Sequence, residues 1–257
     1  MSDRREFLKQ AGALAAVPWS PSELAIPHQD NSGDVDAPGM EWEFSDGQIN
    51  IKQGDHRLLT TLYPGFQRDG GWQPGESLVL QQGHIAHEDK VGHGHAVEVG
   101  CRLGLLEGSW RLVDYEGGRL GCRLSLTNKT ATPIVLQPFS PLMTHPRNGA
   151  VNLVGHPAEW RAYVDSGEDG GKCASYGINE NEGHNVAGAV SVLWSAGGNQ
   201  SLAIGQVEVE RSWTEIVYEF GEKGRSNQKY HWAQAKNLRL RLEQDVTGYQ
   251  LDPGRNL

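Results

Sequence analysis

Long apolar runs, paired cysteines and an excess of positive charge are all missing from this sequence. No apolar stretch approaches the ~20 residues that a membrane-spanning helix needs, so stable insertion in a bilayer is not expected. The only cysteines are Cys101, Cys122 and Cys173, with no Cys-x-x-Cys spacing. An odd count without that spacing defines neither a disulfide framework nor a zinc ribbon; one bridge plus a free thiol stays open beside three buried or half-buried thiols. Lys and Arg number 23 against 32 Asp and Glu, for a formal net charge of −9. Such a chain repels a phosphate backbone, and no basic stripe interleaves with aromatics, which excludes nucleic acid as a partner. Neither a Gly-x-Ser-x-Gly elbow nor a glycine loop opening a helix around phosphate occurs, and no cofactor is expected.

Glycine is what the sequence has in plenty. Its 33 copies, with 12 prolines, are spread between apolar runs, as turns are in a many-stranded fold. After Met40 the dominant period is two. Ile49 and Ile51 alternate with Gln48, Asn50 and Lys52; Leu120, Cys122, Leu124 and Leu126 with Gly121, Arg123 and Ser125; Leu238, Leu240 and Leu242 with Arg239, Arg241 and Glu243. Each is a strand with one wet face. Further strands are predicted at Arg57–Tyr63, Ser77–Gln81, Ala96–Leu105, Ser109–Tyr115, Ile134–Met143, Glu159–Val164, Ala189–Ser195, Ser201–Val209, Ser212–Phe220 and Lys229–Ala235. Turns such as Glu116-Gly117-Gly118 leave too few residues for parallel crossovers, so pairing is expected to be antiparallel. The economical solution for so many strands is a large two-sheet sandwich.

The N-terminus reads as an address. Arg4-Arg5-Glu6-Phe7-Leu8-Lys9 leads directly into the weakly apolar Ala11–Val17, the pattern of a twin-arginine export signal. Residues 1–19 are expected to be that signal, forming a short helix, and residues 20–39, rich in Pro, Ser, Asp and Gly, a linker. Residues 40–257 then form the β domain. The expected partner during export is the twin-arginine translocase, and the destination is periplasmic or extracellular.

Several segments carry a family resemblance. Leu62-Tyr63-Pro64-Gly65-Phe66-Gln67, with Trp72 downstream, resembles a Gly-aromatic-Gln-Ser-Trp turn, with Arg68 in place of the Ser. Leu124–Thr130 followed by Val135–Leu142, the stretch from Val192 through Gly205, and Gly248-Tyr249-Gln250-Leu251-Asp252-Pro253-Gly254 are similar to successive segments of the same domain. That domain is the N-terminal β-supersandwich of α-galactosidase and raffinose-synthase type glycoside hydrolases. The resemblance implies an all-β, antiparallel, galactose-mutarotase-like supersandwich that works on or beside carbohydrate. The family's two catalytic aspartates lie on a (β/α)₈ barrel following the sandwich, and no such barrel is expected before Leu257. Catalytic residues are therefore unassigned. The supersandwich is also the fold of mutarotase-like proteins, so a His and carboxylate pair, His145, His156 or His184 with Glu159 or Glu182, is an alternative, and an exported glycan binder without chemistry is another.

Sugar sites combine an aromatic ring, which stacks on a pyranose C–H face, with planar amide, carboxylate or guanidinium partners for the hydroxyls. Phe66, Gln67 and Trp72 on one glycine-rich turn have that composition, as do Trp160 and Arg161 with Tyr163. The strand tryptophans are otherwise expected in the core. His84, His87, His93 and His95 are the densest set of metal-type ligands. His93 and His95 would share a strand face, but Glu98 falls on the opposite one, so a solvated His-rich loop fits better than a metal centre. Asp165–Gly171 lacks the third and twelfth ligands of a calcium loop and reads as a polar turn.

Overall fold

The computed structural model describes residues 39–45, 48–156, 159–166, 172–178, 180, 184–195, 200–207, 214–221 and 235–257. The expected signal and nearly all of the linker lie outside them, as do most of the strand expected at Lys229–Ala235 and the Asp165–Gly171 turn beyond its first residues. Among the described residues there is no α-helix, and the strand pairings are antiparallel throughout.

The strands form five hydrogen-bonded sheets rather than two. The first contains β1 (Met40–Ser45), β2 (Gln48–Gln53), β3 (His56–Thr60) and β12 (Ala150–Val151). The largest runs in the order β15 (His184–Ala187), β18 (Thr214–Gly221), β19 (Ala235–Gln244), β11 (Phe139–Thr144), β4 (Leu62–Arg68) and β5 (Gly71–Pro74). A third is the meander β6 (Glu76–Asp89), β7 (Gly92–Leu103), β8 (Leu106–Tyr115) and β9 (Arg119–Asn128). The fourth has the order β14 (Lys172–Gly177), β13 (Trp160–Ser166), β16 (Val190–Ser195) and β17 (Gln200–Gly205). A short pair joins β10 (Ile134–Val135) to β20 (Gln250–Leu251).

Two local features divide strands that periodicity alone reads as continuous. The predicted strand through Arg57–Tyr63 breaks at Thr61, which adopts a positive φ of 54°. There the chain leaves the first sheet as β3 and enters the largest as β4. The predicted strand Ile134–Met143 breaks before Phe139, because Pro138 has no N–H for a ladder. Leu136 turns its N–H to the Tyr249 carbonyl at 2.8 Å instead, and Gln67 N–H takes the Pro138 carbonyl at 2.8 Å.

Four of the sheets turn their apolar residues into one continuous core, joined at its edge by Leu251 of β20. Trp42, Ile51 and Leu59 enter it from the first sheet, Leu62, Ile216 and Leu240 from the largest, Trp110, Leu112 and Leu126 from the meander, and Trp160 and Leu193 from the fourth. Fully burying a Leu or Ile side chain contributes about 1.5–3 kcal/mol, which makes this sandwich-like core the dominant stabilising term. The predicted alternation along β9 holds, with Leu126 buried and Leu120, Cys122 and Leu124 packed against the core. A polar stitch ties the largest sheet to the fourth: buried Tyr218 donates to Ser191 Oγ at 3.1 Å, and Ser191 donates to the Tyr163 carbonyl at 2.5 Å.

Candidate functional site

Trp72 does not sit in a loop, as its glycine neighbours suggest, but on β5. Asp69 and Gly70 both have positive φ, 51° and 75°, the requirement of a two-residue type I′ turn, and Asp-Gly is a preferred pair for it. The turn closes a hairpin in which Gln67 lies directly opposite Trp72. Both are half-buried.

Register then decides what else shares their face. Alternation along β4 puts Tyr63, Gly65 and Gln67 opposite to the core-facing Leu62 and Phe66. Tyr63 pairs with Met143 of β11, Met143 with Arg241 of β19, and on β18 Glu219 pairs with Arg239. The six-stranded sheet thus presents one face away from the core on which Trp72, Tyr63, Arg239, Arg241 and the carboxylates Glu215, Glu219 and Glu243 stand around Met143 and Val217. Arg241 is its hub: the guanidinium lies 4.4 Å from the Trp72 ring centroid, Nη1 reaches Glu219 Oε1 at 2.6 Å, and Nε reaches Glu243 Oε2 at 3.2 Å. A cation over an indole face is attracted by the ring quadrupole, and two carboxylates hold the guanidinium in plane.

Burial shapes the charges. Arg241 is only 7% exposed. Burial raises the Glu243 carboxyl above its ordinary range, with the nearby Arg241 charge and hydrogen bond opposing it. Burial also pulls the Arg239 guanidinium down, opposed by the charge of Glu219. With Glu215 directly opposite Glu243, three carboxylates stand against two guanidiniums on this face.

His145 borders the same face just beyond β11, two residues on from Met143. Its ring packs against Tyr63, with centroids 5.4 Å apart and planes at 56°. Burial pulls the imidazole below its ordinary value, aided by the charges of Arg147 and Arg239 and opposed by a hydrogen bond with Asn148. The Arg147 backbone N–H donates to Nδ1 at 3.2 Å. A neutral ring must therefore carry its proton on Nε2.

Of the residues expected at a sugar site, Gln67 and Trp72 come together on this face. Phe66 points the other way and packs against the core. Trp160 is 1% exposed and donates to the Val154 carbonyl at 3.1 Å, so it offers no ring to a ligand. Its sequence neighbour Arg161 belongs to the outer face of the fourth sheet. Glu219, Arg239, Arg241 and Glu243 were legible only as the wet side of strands. Only Glu219 and Arg239 lie directly opposite each other; Arg241 reaches Glu219 on the diagonal and Glu243 along its own strand, which alternation along β19 alone does not show.

The histidines of the β6–β7 hairpin divide between its faces. His93 and His95 are exposed, two residues apart on β7, and His93 Nδ1 lies 3.7 Å from Glu88. His87 pairs with Gly94, across from the other face, and bonds Asp89 Oδ2 at 3.0 Å through Nε2. Asp89 also receives the Tyr115 hydroxyl at 2.7 Å and the Val91 N–H at 2.8 Å, so this carboxylate closes the hairpin rather than the solvated loop expected there. The His84 side chain lies outside the described residues. Among the described residues no three His, Cys, Asp or Glu side chains stand together as a metal site would need.

A separate groove of about 510 Å³ lies on the first sheet between Glu43, Lys52, His56, Arg57 and Asn152. Its charges are spent on one another: Arg57 Nε meets Glu43 at 2.6 Å, and His56 Nε2 lies 2.7 Å from the Asn152 carbonyl. No Phe, Tyr or Trp lines it. No protein-family model and no curated protein matches the chain.

Proposed function

We propose that this chain is an exported, carbohydrate-associated β-sandwich domain that holds a neutral sugar on the Trp72 and Arg241 face of its six-stranded sheet. The observation that carries the reading is the stacked pair itself. A pyranose laid on the Trp72 indole face that Arg241 does not cover would bury its C–H face, while Glu219, Glu243, Arg239 and Gln67 supply planar partners for hydroxyls. Glu215, Glu219 and Glu243 outnumber Arg239 and Arg241 on these strands, which disfavours an acidic ligand. The likeness of the Tyr63–Gln67 and Trp72 segments to the N-terminal supersandwich of α-galactosidase type hydrolases supports the same class of ligand, and Arg4-Arg5 supports export.

The test is calorimetric titration of the mature chain with neutral galactose-containing oligosaccharides. Binding that weakens about tenfold or more in Trp72→Ala, the loss of about 1.4 kcal/mol or more, is the expected result. Binding unaffected by that change, or no binding by the unaltered chain, overturns it. Export is tested separately by Arg4→Lys with Arg5→Lys, which should leave precursor in the cytoplasm.

A second reading has its own observation. His145, whose proton affinity burial lowers, and Glu243, whose proton affinity burial raises, stand toward opposite ends of one face, about 13 Å apart by register, so a sugar lying along β19 would meet a base at one end and an acid at the other. Polarimetry would then show anomer interconversion that His145→Gln abolishes. Equal rates with and without protein dismiss this version and leave the binding version intact.

A further inference from the structure

Arg161 differs from four other strand arginines in how its charge is met. Arg57, Arg102, Arg111 and Arg241 each touch a glutamate, at 2.6, 2.6, 2.8 and 2.6 Å. Arg161 instead donates from Nε to Ser175 Oγ at 2.9 Å and from Nη2 to the Ser175 carbonyl at 2.8 Å. These bonds fix the guanidinium while leaving it a full positive charge. Among the described residues, no carboxylate pairs with it.

On the β16 side this charge has aromatic and apolar neighbours. Arg161 lies directly opposite Trp194, and Tyr163 opposite Val192, across β13 and β16. The alternate residues Ala162, Leu193 and Leu202 point into the core and are 5% exposed or less. Trp194 and Val192 are half-buried on the other side, Tyr163 is 36% exposed and Val190 53%. A cluster of outward apolar residues around a rigid cation is not what a merely solvated sheet face carries.

We propose that the outer face of the β14-β13-β16-β17 sheet binds an acidic polysaccharide, with a uronate ring stacked on Trp194 and its carboxylate on Arg161. Charge complementarity selects the anion, because on a chain of net charge −9 an incoming carboxylate needs a local cation that no glutamate already holds. The spacing suits a sugar acid: directly opposed residues have Cβ atoms about 5 Å apart, within the span of one hexuronate from ring face to carboxylate. An outward sheet face also accepts an extended chain, and diagonal neighbours such as Trp194 and Tyr163, about 7–8 Å apart, would offer a second ring for the next unit. This surface is independent of the neutral-sugar site, and its acidic ligand separates the two.

The experiment titrates the mature chain with a short uronate oligosaccharide, its neutral counterpart and a poly-glutamate peptide, following the Trp194 indole N–H by NMR. The expected result is salt-sensitive binding of the uronate alone, with the Trp194 signal shifting. Arg161→Gln and Trp194→Ala should each weaken it about tenfold or more, and Trp72→Ala should leave it unchanged. Arg161→Lys keeps the charge but not the fork, and serves where the glutamine variant misfolds; it should bind measurably more weakly. Uronate binding that is absent, indifferent to Arg161 and Trp194, or matched by poly-glutamate overturns the proposal.

Discussion

Asn50 holds Thr61 in a backbone conformation that threonine rarely adopts. Its side-chain oxygen accepts the Thr61 N–H at 2.8 Å, and Thr61 Oγ1 donates to Gln48 at 3.3 Å. The Thr61 carbonyl in turn receives the His145 N–H at 2.8 Å. A buried amide on β2 thus fixes the kink through which β3 becomes β4, and with it the positions of Tyr63 and His145 on the candidate site. Left-handed geometry costs a β-branched residue roughly 1–2 kcal/mol, so the acceptor must be worth at least that much.

Replacing Asn50, which is 1% exposed, by Ala should therefore strand a buried N–H and lower stability by about 1–3 kcal/mol in urea melts. Thr61→Gly should do the opposite in part: it relieves the strain at φ 54° and loses only one hydroxyl bond. A Thr61→Gly variant no more stable than Asn50→Ala would contradict this account of the kink.

Gly65 limits how closely β4 approaches β11. A Cβ there would run into the thioether of Met143 and lie 3.0 Å from the Gln73 carbonyl. Met143 is 3% exposed and has little room to withdraw. Gly65→Ala should cost about 1–3 kcal/mol by overpacking and also disturb Arg241, the strand neighbour of Met143. Chemical denaturation measures the first effect and sugar titration the second.

Much of the architecture was legible because burial on one face forces a period of two, as along β9 and β19. The kink at Thr61 was not, since it depends on Asn50 of another strand; the break at Pro138 was in view, as a residue without an N–H inside a predicted strand, and only the Tyr249 carbonyl that takes the Leu136 N–H was hidden. The site was half legible for a similar reason. Gln67 and Trp72 lie close along the chain, and their joining turn is an Asp-Gly pair. Arg241 comes to Trp72 only through the pairing of β19 with β11 and of β11 with β4. Trp160 and Trp194 show the limit of composition: both lie in strands of one sheet, and a single-residue difference in phase sends one into the core and the other to the outer face.

Asp89 should govern part of the acid limb of stability. The Tyr115 hydroxyl, then His87, hold its carboxyl well below the ordinary value of 3.8. A depressed pKa means that its contribution is complete above that ordinary value and is lost as pH falls below it. Asp89→Asn should flatten the fall in urea midpoint below about pH 4, and Tyr115→Phe should raise the Asp89 titration seen by carboxyl NMR. An unchanged acid limb in both variants would remove Asp89 from this role.

Two thiols should be inert in the folded protein. Burial pushes both Cys101 and Cys122 up to about 12, so almost no thiolate exists at neutral pH. In a Cys173→Ser background, a thiol reagent at pH 7.5 should label neither until denaturant is added, and prompt labelling in native buffer would count against the packing of β7 and β9.

The charge cluster at Arg241 should carry the largest stability change of any single side chain on this face. Arg241→Met would keep much of the side-chain volume yet leave Glu219 and Glu243 without their shared guanidinium, a loss of about 3–5 kcal/mol for a buried pair broken on one side. Adding Glu219→Gln and Glu243→Gln to Arg241→Met should restore most of it, because no uncompensated charge remains. The pH dependence separates this from a simple packing defect. Burial raises the Glu243 carboxyl above 4.5, so its contribution is complete below that value and is lost as pH rises through the higher folded pKa. Removing Arg241 takes away the charge that opposes the rise, which moves the loss to higher pH and enlarges it. The stability gap between the unaltered chain and Arg241→Met should therefore widen from pH 4 to pH 7, whereas a gap of constant size would assign the whole effect to packing.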